Sequence, residues 1–191
     1  MCRDEVMIIY LDEAHIHQDM DDGYSWSPVG EPTWVRSTSP GLSARINWYG
    51  AYIFSTGRCF LWQGETCDSE HTIQFLDQLA HWLGKTDSRV VIIWDNASHH
   101  KKLAVQEAAK RLGFELFPLP TYSPDLNPIE GLWKWLREDV TQHFCHKSLQ
   151  ALFLACTKFI DTINLTPIQV IQRLWPRFEL DPQLEKIRFS S

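Results

Sequence analysis

Two short, uninterrupted apolar runs stand out along the chain, residues 6–11 and 90–94, and each is followed at once by an aspartate, Asp12 and Asp95. Runs of this length without polar alternation predict strands covered on both faces, with the aspartates at their carboxyl ends. Residues 44–54 and 58–63, parted by Ser55-Thr56-Gly57, predict the two strands of a hairpin. Between 69 and 83 the residues Ile73, Phe75, Leu76, Leu79, Ala80 and Leu83 recur at helical spacing, with Gly84 as a stop. A second helix is predicted over 101–112, closed by Gly113, and a short strand over 114–117. The proline-rich stretch 118–128 then leads into an amphipathic helix carrying Ile129, Leu132, Trp133, Leu136 and Val140 on one side. A further helix covers about 148–163. Residues 19–41, rich in Asp, Gly, Ser and Pro, predict an irregular excursion with one short extended piece around Trp34 and Val35. Strands first and then strand–helix alternation imply an α/β class, a mixed sheet flanked by helices.

Composition narrows this picture. With 191 residues, 44% of them hydrophobic, the chain can bury one substantial core, so one domain is expected over 1–191, with a core at about 5–165 and a tail at 166–191. Five scattered cysteines without a C-x-x-C pair argue against a disulfide framework or a zinc knuckle and favour a reducing cytoplasm. The apolar runs are too short to span a bilayer, so no membrane is expected. The net charge of -6 is the wrong sign for gripping nucleic acid by bulk electrostatics alone. If nucleic acid is the substrate, the acids belong at a metal site or a separate basic segment does the gripping.

Ligands in mixed sheets lie beyond the carboxyl ends of strands, which is where Asp12 and Asp95 fall. Glu130, in the first turn of the helix after the proline-rich loop, can face the same edge. Three converging carboxylates remain ionised only with hard cations among them, and oxygen-only ligation selects Mg²⁺ or Mn²⁺. Two such ions can clamp the attacking and departing oxygens of an in-line displacement at phosphorus. The expectation is therefore a catalytic and metal-binding trio of Asp12, Asp95 and Glu130 holding two ions, with Asp12 bridging them.

The blocks Tyr-Leu-Asp-Glu-Ala (10–14), Ile-Trp-Asp-Asn-Ala-Ser-His-His (93–100) and Tyr-Ser-Pro-Asp-Leu-Asn-Pro-Ile-Glu-Gly-Leu-Trp (122–133) resemble the three catalytic blocks of insertion-sequence 630 transposases in the Tc1/mariner superfamily. The 34 residues between Asp95 and Glu130 match the separation typical of that D-D-E group. The resemblance implies a ribonuclease-H-like fold of the retroviral-integrase type and dependence on Mg²⁺ or Mn²⁺. It also implies cleavage of DNA at terminal inverted repeats and strand transfer into target DNA at TA sites, by a homodimer. Members carry a helix-turn-helix region upstream, for which the 11 residues before Asp12 leave no room, so an upstream helix-turn-helix polypeptide is an expected partner. The chain reads as a second-frame product, a truncated piece or a domesticated remnant. A prokaryotic, nucleoid-associated location follows from the same resemblance.

Plainer roles compete for several of these residues. With Asn127 as N-cap and Pro128 at the first helical position, Glu130 would complete a variant capping box, or it would pair with Lys134 one turn on. Strand alternation turns Glu13 to the face opposite Asp12. Asn96 either supports a metal ligand or caps its loop. His99, His100 and Lys101 either meet phosphate at a helix N-terminus or form a solvated run. Lys134 and Arg137 are candidates for the DNA backbone, Tyr122 either stacks on a base or packs, and Asn127, if not the cap, is a candidate to support a metal ligand or contact DNA. Two other functions remain in contention: a stand-alone ribonuclease-H-like nuclease, and an inactive domain that binds DNA or protein.

Overall fold

The computed structural model describes residues 6–20, 29, 37, 44–121 and 123–174. Its axis is β1 (Val6–His17), which is hydrogen-bonded on one side to β2 (Arg45–Ile53) and on the other to β4 (Arg89–Trp94). With β3 (Cys59–Gly64) and β5 (Phe114–Pro118) at the edges, the order is β3-β2-β1-β4-β5. The hairpin side is antiparallel and the β1-β4-β5 side parallel, giving the mixed sheet that the element order predicts.

Helix α1 (Ser69–Leu83) starts where Asp68 accepts the backbone N–H groups of Glu70 and His71 and ends at Gly84 in a positive-φ conformation. Helix α2 (Leu103–Arg111) begins two residues later than the pattern suggests, because residues 98–101 form a turn whose two histidines point inward. A short 3₁₀ turn (Pro124–Leu126) precedes α3 (Ile129–Val140), followed by α4 (Leu149–Asn164). Part of the expected tail is helix: α5 (Pro167–Leu174) buries Val170 and Leu174 against the core. The short extended piece expected around Trp34 and Val35 lies outside the described residues.

Alternation along the strands divides the core in two. Ala14 and Ile16 of β1 with Ile46, Trp48 and Tyr52 of β2 pack under α3, α4 and α5. Ile9 and Leu11 with Val90, Ile92 and Trp94 pack under α1 and α2 on the other face. No single described helix is long and apolar enough to cross a membrane, and the bent pair α4–α5 buries its apolar side in this core.

One strand position governs how closely α3 can approach. Gly50 pairs with Asp12 across β1 and β2, and a Cβ placed on it would lie 2.5 Å from Cη2 of Trp133 and 3.1 Å from Cδ1 of Ile129. The indole fills the space a side chain would occupy. Trp133 is 1% exposed and cannot swing into solvent. Gly50→Ala, although favourable for a strand in isolation, should therefore destabilise the protein by about 1–3 kcal/mol through overpacking. Chemical denaturation checks this, and an unchanged midpoint would mean that α3 is free to shift.

Candidate active site

Parallel pairing of β1 with β4 ends at Tyr10 and Ile93, yet β1 continues to His17 against β2. Asp12 thus lies within a strand rather than at its end, and what ends beside it is the β1–β4 ladder. The alternating Ala14 and Ile16, buried under α3 and α4, keep β1 extended past the charged position. Asp12 faces α3, and its Oδ2 accepts the indole N–H of Trp133 at 2.9 Å. Asp95 follows directly on β4, where its Oδ1 accepts the N–H of Ala97 at 3.0 Å and Nδ1–H of His100 at 2.9 Å. Glu130 stands in the first turn of α3. These three acids line one cavity of about 310 Å³ together with Asn96, Thr121 and Asn127.

Asn127 does not cap α3. The residue before the helix is Pro128, and the Asn127 amide instead donates to the carbonyl of Leu11 at 3.1 Å, tying the loop before α3 to β1. Its Oδ1 is buried with no hydrogen-bond partner among the described residues, and the residue lines the acid cavity. A buried amide oxygen left without a donor is costly, and the residue that bears it stands beside three carboxylates.

The electrostatics agree with that donor set. Burial pushes the Asp12 carboxyl up to about 8, and the charges of Glu130 and Glu13 add to the effect, against the indole hydrogen bond. Partial burial raises Glu130 as well, opposed by Arg137 and by the hydrogen bond it accepts from Asp12. Asp95 moves the other way, held low chiefly by His100. Without a cation, burial and like charge favour a proton on Asp12. A hard divalent ion removes the need for that proton.

On the other face of the sheet, Glu13 is turned away from Asp12 as alternation predicts, but it is not idle. Its Oε1 accepts Nε2–H of His100 at 2.9 Å and lies 3.3 Å from Nε2 of His99. His100 is 4% exposed and stacks flat on Trp94, with ring centroids 4.2 Å apart. Burial alone would lower its pKa, but Asp95 and Glu13 together raise it to about 9. Glu13, His99 and His100 have donor atoms close enough for a metal ion. A protonated His100, with both ring nitrogens donating to carboxylates, offers no lone pair to one. The turn therefore carries both imidazoles inward to Glu13 and away from any phosphate at the start of α2, contrary to the solvent-facing alternatives. The one available sequence signal was an acid on an apolar face, which needs a cation nearby.

The remaining candidates are more peripheral. Asn96 Nδ2 lies 3.4 Å from Thr121 Oγ1, so it braces the loop while lining the cavity. Arg137 donates to the His15 carbonyl at 3.3 Å and its charge acts on Glu130. Lys101 and Lys134 are exposed, and no Glu130–Lys134 ion pair occurs among the described residues. Tyr122 lies outside the described residues.

Residues 7–152 match the family model of the DDE superfamily endonucleases. The chain belongs to this family. It is 27% identical over 167 residues to the "Insertion element IS630 uncharacterized 39 kDa protein" of Shigella sonnei, covering 87% of this chain and 48% of that one. Against the mariner Mos1 transposase of Drosophila mauritiana identity is 28% over 143 residues, covering 62% of this chain and 41% of the relative. The chain thus spans about half the length of the curated relatives it matches. Among solved structures, the Mos1 strand transfer complex superposes with a TM-score of 0.65 at 21% identity, covering 87% of this chain and 50% of that one. The Mos1 paired-end complex with Mn gives 0.63 at 21% identity, covering 87% and 53%. The fold is accordingly the ribonuclease-H-like one of transposase catalytic cores, and the chain is a DDE-type catalytic domain similar to those of IS630 and Mos1.

The raised Asp12 pKa has a consequence for stability. An unfolded aspartate titrates near 4. The folded state therefore holds an extra proton between about pH 4 and 8, and the stability from this group falls as pH rises through that window. In chelator, Asp12→Asn should match the parent protein near pH 4 and exceed it above pH 8 by roughly 1–3 kcal/mol. Denaturation at both pH values measures the difference, and a constant offset would contradict the assignment.

Proposed function

We propose that this domain performs divalent-metal-dependent phosphoryl transfer on DNA, hydrolysing phosphodiesters at transposon ends and joining the freed 3′-hydroxyl to target DNA. What carries the reading is the meeting of Asp12, Asp95 and Glu130 on one cavity that Asn127 also lines. These carboxylates would hold Mg²⁺ or Mn²⁺, two ions in all, with Asp12 as the shared ligand. When bound, such ions stabilise charge on the attacking and leaving oxygens of an in-line displacement.

The chain's own residues supply orientation. Trp133 holds the Asp12 carboxylate; Ala97 and His100 hold Asp95; α3 carries Glu130 on its first turn. Water attacking phosphorus breaks the bond to the 3′-oxygen and releases a 3′-hydroxyl. That hydroxyl attacks a second phosphodiester in the same geometry, so no covalent protein intermediate is needed. A neighbouring groove of about 690 Å³ begins at Asp95 and Asn96 and carries Lys101 and Lys110, cations suited to a phosphate backbone.

Because the relatives are about twice as long, end recognition is assigned to polypeptide other than these residues, a helix-turn-helix region acting with a homodimer of catalytic domains. The net charge of -6 supports that division, and TA is the proposed target dinucleotide.

Asp95→Asn should abolish Mn²⁺-dependent nicking of a duplex while leaving the fold intact, because it removes a charge that the ions require and is nearly isosteric. Millimolar Mg²⁺ should raise the melting temperature of the parent protein by binding the folded state, and much less that of the variant. Retained nicking, or a parent protein whose stability is blind to both ions, would defeat the reading.

A further inference from the structure

Asp12 and Asp95 come from strands that no longer pair where the acids stand, because the β1–β4 ladder stops at Tyr10 and Ile93. Asp95 is moreover exposed and sits on the loop that leaves β4. Something other than the sheet has to set the spacing between the two carboxylates. On the opposite face a continuous polar path crosses the gap. It runs from Glu13, covalently next to Asp12, through His100 to Asp95, with contacts of 2.9 Å at each end of the imidazole.

We propose that Glu13 and His100 are positioning residues that lock the Asp95 carboxylate in register with Asp12 across the β1–β4 fork, a role that rests on the metal-site reading above. Both ends of this strut, Glu13 and His100, are held by the fold. Glu13 is on a strand paired to β2 through Tyr49, and His100 is buried with its ring flat against Trp94, itself 3% exposed. An imidazole that donates from both nitrogens can satisfy two acids at once and is of fixed length, whereas a lysine in its place would be flexible and directionless. His99 adds a second contact to the same Glu13 oxygen and restrains it further. Ligand carboxylates held by outer partners in this way lose entropy in advance of binding, which is how supporting groups raise metal affinity without touching the metal.

A purely structural ion pair would stabilise the fold and leave metal affinity unchanged in molecules that are folded. The two roles separate in a Mn²⁺ titration of the 191-residue chain, with free Mn²⁺ read by electron paramagnetic resonance at a temperature where circular dichroism finds every variant folded. His100→Phe keeps the ring and its stack on Trp94 but removes both donors. It should weaken Mn²⁺ binding about 10–100-fold and lower kcat for duplex nicking more than it raises KM. Glu13→Ala should do the same, and Glu13→Gln, which retains an acceptor for His100, should recover most of the affinity. Should His100→Phe not fold, the Glu13 pair decides alone. Parental Mn²⁺ affinity in folded His100→Phe, or equal losses in Glu13→Ala and Glu13→Gln, would overturn the positioning role. Asp95→Asn run alongside tells the two readings apart: if it still binds Mn²⁺ as the parent does, the metal site itself is wrong. If it loses binding while His100→Phe does not, only the strut is.

Discussion

The parting of β1 from β4 is the constraint on which the rest depends. A parallel ladder that ran to the ends of both strands would bury backbone and side chains alike and leave no cavity. Here β1 stays bound to β2 as far as His17 while β4 stops at Trp94, and the opening between them is roofed by α3. Asp12, Asp95 and Glu130 each reach that opening from a different element. Ligands in sheets of this kind collect where neighbouring strands separate, and for the same reason: backbone polar groups and strand-end side chains are left facing a gap.

Placing acids in such a gap is unfavourable unless their charge is answered, and the two faces of the sheet answer it differently. Beneath, Glu13 and Asp95 share the imidazolium of His100, and both carboxyls are held low. Above, Asp12 is met by neutral donors, the Trp133 indole and the Glu13 backbone N–H, with Arg137 acting on Glu130, and its carboxyl rises to about 8. The lower face is electrostatically complete and the upper face is short of positive charge. That asymmetry is what the proposed cation would offset, whereas the Glu13–His99–His100 cluster, superficially a set of metal ligands, already has its charge answered.

Trp133 links this electrostatic arrangement to packing. Its ring fills the space over Gly50 in the core beneath α3, while its one polar atom reaches Asp12. The depth of α3 over the sheet and the orientation of Asp12 are therefore set by one side chain. The height of Glu130 above the cavity follows from the same contact, since it lies one helical turn away. Asn127 acts similarly on the loop, with its amide nitrogen anchored to the Leu11 carbonyl.

The hydrophobic pattern alone determined the class of fold and the place of most elements, because buried strands and amphipathic helices leave periodicities of different length. It also drew attention to Asp12 and Asp95, each directly after an apolar run, whereas Glu130 joined them through the resemblance of its motif, and of its spacing from Asp95, to a known family. The pattern did not reveal that β1 continues past Asp12. The alternation of Ala14 and Ile16 was the signal, and it is faint beside the charged residues interleaved with it. Helix α5 escaped for a related reason: eight residues with two buried side chains, Val170 and Leu174, take their stability from the core rather than from local propensity. The contacts of Glu13, His100 and Asn127 were decided only by tertiary structure. Each makes its defining contact across 87 to 116 positions of chain, and a hydrogen bond between residues so far apart leaves no trace in spacing or composition.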